Sequence, residues 1–150
     1  MSVTLMVEDE TWRPLHLQTK IRRAIRQALS EAEIKGDLSL LLTTDEKLRA
    51  LNKAFRDKDV PTNVLSFPAA EGGYLGDIAI AFGLAQREAR ESGKTMAEHV
   101  LHLAVHGTLH LAGFDHIDPR EADVMEAMET KILARLGIAD PYVLRSPSER

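Results

Sequence analysis

The chain has 150 residues, with 19 Lys and Arg against 23 Asp and Glu, a net charge of −4 with histidine neutral, and no cysteine. Its 44% hydrophobic and 28% charged residues suit one soluble globular domain with a full core, and the missing cysteine excludes a disulfide framework and thiolate metal ligands. No stretch reaches the roughly 18 apolar residues of a membrane span, and residues 1–10 carry no basic or long apolar segment of a secretion signal, so the cytoplasm is the expected compartment.

Residues 2–7 alternate weakly and are expected to form a strand. Between residues 15 and 34, Leu17, Ile21, Ala24, Ile25, Ala28, Leu29 and Ala32 recur at helical spacing, with Pro14 near the start and Gly36 at the end. Residues 37–43 are a short apolar run, read as a buried strand. Thr44 then caps a helix through Phe55, with Asp45 and Glu46 in the first turn, where negative charge is favoured. Residues 56–76 are irregular, with a strand at 64–67. A second strand at 75–82 is expected to pair with it. Helices follow at 84–91, 95–111 and 119–136, the last capped by Asp118 and stopped by Gly137. Residues 146–150 are expected to fray.

The order βαβαββααα predicts an α/β (α+β-like) fold. It is read as a single domain over residues 1–150, a mixed sheet of about four strands packed with helices. The helix at 95–111 is apolar on several sides (Val100, Leu101, Leu103, Ala104, Val105, Leu109), which places it at the centre of the domain.

That helix also carries the chemistry. His106 and His110 are four residues apart and share a helix face. Gly113 tolerates the left-handed turn that ends a helix, and so can bring His116 back toward the same point. Three neutral imidazoles with one open position describe a catalytic zinc site. The spacing is that of the long metalloprotease signature, except that Gly107 stands where the protease has its glutamate base. A metal hydrolase of another kind is the expectation. His102 lies eight residues from His110, about 12 Å along the axis, too far to share an ion. It is read as a core or supporting residue, His99 as surface or core, and His16 as a structural residue at the start of the first helix.

Basic residues concentrate early. Residues 1–60 hold 11 Lys and Arg against 10 Asp and Glu, and residues 61–150 hold 8 against 13. One cluster is Lys20, Arg22, Arg23 and Arg26; a second is Lys47, Arg49, Lys53, Arg56 and Lys58. A local basic face can bind phosphate even on an acidic protein, although the first cluster reads more simply as a solvated helix face.

Three segments together resemble the YbeY family of bacterial ribosomal-RNA maturation endoribonucleases. They are Phe55-Arg56-x-Lys58-Asp59-x-Pro61-Thr62-Asn63-Val64-Leu65-Ser66-Phe67-Pro68, Leu75-Gly76-Asp77-Ile78, and His102-Leu-x-Val-His106-Gly-x-Leu-His110-Leu-x-Gly113-Phe-Asp115-His116. The resemblance implies one zinc per chain, held by His106, His110 and His116. It implies cleavage of single-stranded RNA, maturation of the 3′ end of 16S (small-subunit) rRNA, and ribosome quality control. The small ribosomal subunit and ribosome-associated proteins would be partners, with no membrane involved. It also implies a functional role for Arg56, which with His106 makes the candidate catalytic pair.

The residues themselves leave alternatives open. The Arg56 guanidinium suits a phosphate, but also a surface ion pair with Glu46, Asp57 or Asp59. Asp77 can orient a ligand or shape a turn, and Asp115 can support His110 or His116 or shape its loop. No residue stands out as a general base. A metallopeptidase, with Met125 or Met128 as a floor under the metal, is one competing reading. A non-catalytic ribosome-assembly factor with a zinc-stabilised fold is another.

Overall fold

The computed structural model describes residues 2–57, 62–69, 72–114 and 118–142. His116, Asp115, Lys58, Asp59, Pro61 and the tail 146–150 lie outside the described residues.

The strands are β1 (Val3–Val7), β2 (Asp37–Thr43), β3 (Val64–Pro68) and β4 (Tyr74–Ala81). The helices are α1 (Gln18–Glu31), α2 (Asp45–Arg56), α3 (Phe82–Glu91), α4 (Met96–Leu111) and α5 (Pro119–Arg135). The sheet order is β1-β2-β4-β3: β1 and β4 run parallel to β2, and β3 runs antiparallel to β4 with Ser66 opposite Ile78. This is the expected single-domain mixed sheet, including the pairing of the two strands expected at 64–67 and 75–82.

Alternation along the strands builds two cores of unequal size. Leu38, Leu40, Leu42, Ile78 and Ile80 face the larger one, with Ile21, Ile25 and Leu29 of α1 and Val100, Ala104 and Leu109 of α4. Leu65, Ala79 and Ala81 point the other way and pack with Leu48 of α2. Each fully buried Leu or Ile contributes about 1.5–3 kcal/mol. α4 lies in the larger core and contacts α1, α3, α5, β3 and β4. Its start is fixed by a capping box, in which Thr95 Oγ1 accepts from the Glu98 amide and the Glu98 carboxylate accepts from the Thr95 amide.

One expectation is corrected at the N-terminal end. The first helix does not begin near residue 15. Glu10–Leu15 form a short 3-10 helix, His16 turns left-handed (φ 49), and α1 starts at Gln18. Trp12 causes the change: it is buried, its indole Nε1 donates to the Thr43 carbonyl at 2.9 Å, and its ring meets the edge of Phe82. His16 is therefore an exposed turn residue rather than the start of a helix. Among the described residues, no helix is long and apolar enough to cross a membrane.

Candidate active site

α4 presents His102, His106 and His110 along its one half-buried stripe. The imidazoles of His106 and His110 meet, with their Nε2 atoms 3.0 Å apart. Their opposite nitrogens are each held by an acceptor. His106 Nδ1–H donates to Glu129 Oε2 at 3.1 Å, and His110 Nδ1–H donates to the Phe114 carbonyl at 3.1 Å. A carbonyl and an ionised carboxylate only accept, so the proton of each neutral ring sits on Nδ1. The Nε2 lone pairs then point at one another across 3.0 Å, an arrangement that repels unless a cation or proton lies between them. Zinc at 2.0–2.1 Å from two tetrahedral nitrogens sets them about 3.3 Å apart, close to this separation. The donor chemistry therefore fits zinc at two positions. The third expected donor, His116, lies outside the described residues, and among the described residues no three His, Asp or Glu side chains gather as a metal-holding group. Gly113 does take the positive φ expected of it, 100°, just after α4.

Behind His106 sits a carboxylate that sequence reasoning missed. α5 buries Met125, Glu129, Ile132 and Leu133, a face at helical spacing, and Glu129 is its one charged member, 1% exposed. Its oxygens accept from His102 Nε2 at 2.5 Å, from His106 Nδ1, and from the Tyr142 hydroxyl at 2.7 Å. Burial pushes the Glu129 carboxyl up, but the hydrogen bonds from the two histidines and Tyr142 outweigh it and hold the group down at about 2. The Tyr142 hydroxyl is pushed up, by burial and then by Glu129. Glu129 is therefore an ionised acceptor with its donors in place, not a general base. The signal in the sequence was a glutamate on the buried stripe of an amphipathic helix, since a buried charge needs partners. His102, read as a core or supporting residue, is half-buried and hydrogen-bonded to Glu129. His99, read as surface or core, is buried and pairs with Glu88 at 2.9 Å.

A cleft of about 390 Å³ runs along α4 from His99 to His106, with Asn63, Glu88 and Tyr142 in its walls. His106 lines it together with His102.

Gly107 explains why no glutamate stands after His106. A Cβ at this position would lie 2.9 Å from Ile78 Cγ2 and 3.1 Å from Ser66 Oγ. Position 107 is where α4 seats on the sheet, so a side chain there would lift the helix rather than reach a substrate. Met125 is buried in the apolar core and Met128 packs against it, which accounts for both methionines without a metal floor.

Arg56 ends α2 and reaches the edge strand β3, where its guanidinium donates to the Ser66 carbonyl at 2.5 Å and lies over the Phe67 ring. The Ser66 hydroxyl in turn donates to the Gly107 carbonyl at 3.3 Å. Arg56 is thus joined through one residue to the backbone beside His106. Among the described residues its hydrogen-bond partner is this carbonyl rather than the carboxylate of Glu46 or Asp57, and Asp59 lies outside the described residues. Asp77 is neither a turn residue nor near the histidines. It lies within β4, exposed, and accepts from the Tyr74 hydroxyl on the face opposite Ile78 and α4. Strand alternation alone separates it from the site. Asp115 lies outside the described residues.

Comparison with known proteins places the chain. The family model for endoribonuclease YbeY matches residues 5–137. The chain is 47% identical to endoribonuclease YbeY of Maricaulis maris, over 97% of this chain and 94% of that one. It is 46% identical to the protein of the same name from Azorhizobium caulinodans, over 96% and 98%, and 42% identical to that of Agrobacterium fabrum, over 98% of both. The solution structure of a Thermotoga maritima protein has the same fold, with a TM-score of 0.64 and 22% identity over 99% of both chains. The chain belongs to the endoribonuclease YbeY family.

Proposed function

We propose that this protein is a zinc-dependent single-strand endoribonuclease, a cytoplasmic enzyme acting in maturation of the 3′ end of small-subunit rRNA and in ribosome quality control. The observation that carries the reading is the pair of Nε2 atoms of His106 and His110, 3.0 Å apart with both opposite nitrogens held by acceptors. His106, His110 and His116 would hold one zinc. When bound, zinc supplies Lewis acidity toward water or toward a phosphoryl oxygen.

The residues of the chain supply the rest. The Glu129 and Phe114 acceptors keep the donor faces of His106 and His110 turned to one point. Arg56 lies on the β3 edge, joined through Ser66 to the carbonyl of Gly107. A guanidinium there can take a scissile phosphate and offset the charge that grows on it in the transition state. Membership of the family supports RNA as the polymer; the small ribosomal subunit as the setting is part of the proposal. The seating of Gly107 on Ile78 weighs against a peptidase, which would need a base at that position.

The test is incubation of the wild type and a His110→Ala variant with a labelled single-stranded RNA, a matched duplex and casein. Cleavage of the single strand alone, absent in the variant, is the expected result. Histidine-dependent loss of casein with RNA intact would make it a peptidase, and intact substrates throughout would favour an assembly factor without turnover.

A further inference from the structure

We infer that Glu129 is a positioning residue: its buried carboxylate keeps the proton of His106 on Nδ1, so that Nε2 faces His110 as a metal donor, while His102 and Tyr142 hold that carboxylate in place. The geometry assigns each part. Glu129 sits 1% exposed on α5, among Met125, Ile132 and Leu133, so its oxygens have little access to water. One oxygen, Oε2, lies 3.1 Å from His106 Nδ1. The other, Oε1, accepts from His102 Nε2 at 2.5 Å and from the Tyr142 hydroxyl at 2.7 Å. Those two donors occupy Oε1 and leave Oε2 directed at His106.

The arrangement also accounts for His102. Its Nε2–H is committed to Glu129, and its Nδ1 is buried with no hydrogen-bond partner among the described residues. It thus serves as a proton donor to the carboxylate, not as a third ligand. A neutral imidazole with no acceptor at Nδ1 favours the tautomer protonated at Nε2, which cannot ligate through that atom. A carboxylate behind a ligating histidine fixes both tautomer and ring orientation and raises the basicity of the donor nitrogen. Here that carboxylate comes from a different helix than the ligands, so the docking of α5 on α4 becomes part of the site.

The inference rests on the zinc reading for its consequence, but its first test does not need zinc. Nitrogen-15 imidazole spectra of the full-length, zinc-free wild type near pH 8 should show His106 protonated at Nδ1. His106 found protonated at Nε2 would overturn the inference, whether or not the protein cleaves RNA. The second test is Glu129→Gln, which keeps the volume but lets the amide donate to an imidazole nitrogen. His106 should then populate the Nε2–H tautomer, and zinc affinity, titrated with zinc alone, should fall about 10–100-fold. Tyr142→Phe removes one donor from the rim and should weaken zinc binding in the same direction by less. A Glu129→Gln protein that folds, keeps the Nδ1–H tautomer and binds zinc like the wild type would reduce Glu129 to a packing residue. Absence of zinc binding by the wild type would instead count against the zinc reading, leaving the tautomer result to stand or fall alone.

Discussion

At the scale of single residues, the site is decided by where protons sit and what each charge faces. His106 and His110 converge because their Nδ1 atoms are tied to Glu129 and Phe114, not because of spacing alone. The spacing was legible in the sequence; the acceptors were not, since Glu129 is 23 residues from His106 and joins it only through helix packing. Arg56 was legible as a phosphate-type side chain, but its seat on the Ser66 carbonyl depends on a strand whose edge no sequence pattern announces. Arg56→Ala should leave zinc content unchanged and stability within about 1 kcal/mol, the net value of one hydrogen bond. RNA cleavage should fall roughly 10²–10³-fold, the loss typical of a donor acting in the transition state. Arg56→Lys should rescue only in part, because an ammonium lacks the planar fork. Wild-type cleavage by both variants would leave Arg56 as an anchor for β3. His99 offers a pH test. Burial lowers its pKa below the ordinary 6.5, with Glu88 opposing, so the unfolded chain takes up a proton before the folded one does. Its contribution to stability is therefore full above pH 6.5 and is lost as pH falls through the lower folded value. His99→Gln keeps a donor for Glu88 and cannot titrate. Urea unfolding of both proteins between pH 7.5 and 5 should show a shallower acid loss in the variant; parallel curves would contradict the assignment.

At the scale of elements, α4 was the most legible and the 3-10 helix at Glu10–Leu15 the least. A 16-residue segment apolar on several sides, opened by a Thr-x-x-Glu cap, has few alternatives to a buried helix. α2 likewise followed its Thr44 cap and acidic first turn. The 3-10 helix at Glu10–Leu15 was hidden because its cause, the hydrogen bond from Trp12 to the Thr43 carbonyl, spans 31 residues. The contact of α4 with the sheet turns on Gly107, whose lack of a side chain read as a missing base before the structure revealed it as a packing position. Gly107→Ala should destabilise the protein by up to about 2 kcal/mol. That figure is an overpacking cost of about 1–3 kcal/mol less the roughly 1 kcal/mol that alanine gains in a helix. Chemical denaturation would measure it, and Ile78→Ala in the same protein should relieve part of the loss. Raised stability in the single variant would mean that α4 does not seat on Ile78 through this position.

For the whole molecule, the site is a meeting of three elements that the fold brings together. α4 supplies the imidazoles, α5 the carboxylate behind them, and the edge strand β3 the carbonyl that receives Arg56. The sheet class and the central helix followed from element order, whereas the docking of α5 on α4 did not, since it depends on side chains far apart in sequence. A metal held between such elements should stabilise the fold as a whole. Zinc at a hundredfold over its dissociation constant adds about 2.7 kcal/mol to the folded state, which for a chain of this size corresponds to a rise in Tm of about 5–10 °C. A chelator should reverse the rise, and an unchanged Tm would speak against binding to the folded state. The most direct measurement is elemental analysis of protein purified without added metal, comparing the wild type with the variant carrying His106→Ala, His110→Ala and His116→Ala together. One zinc per chain in the wild type and none in the variant is the predicted result; stoichiometric zinc retained by the variant, or none in the wild type even after zinc is supplied, would contradict it.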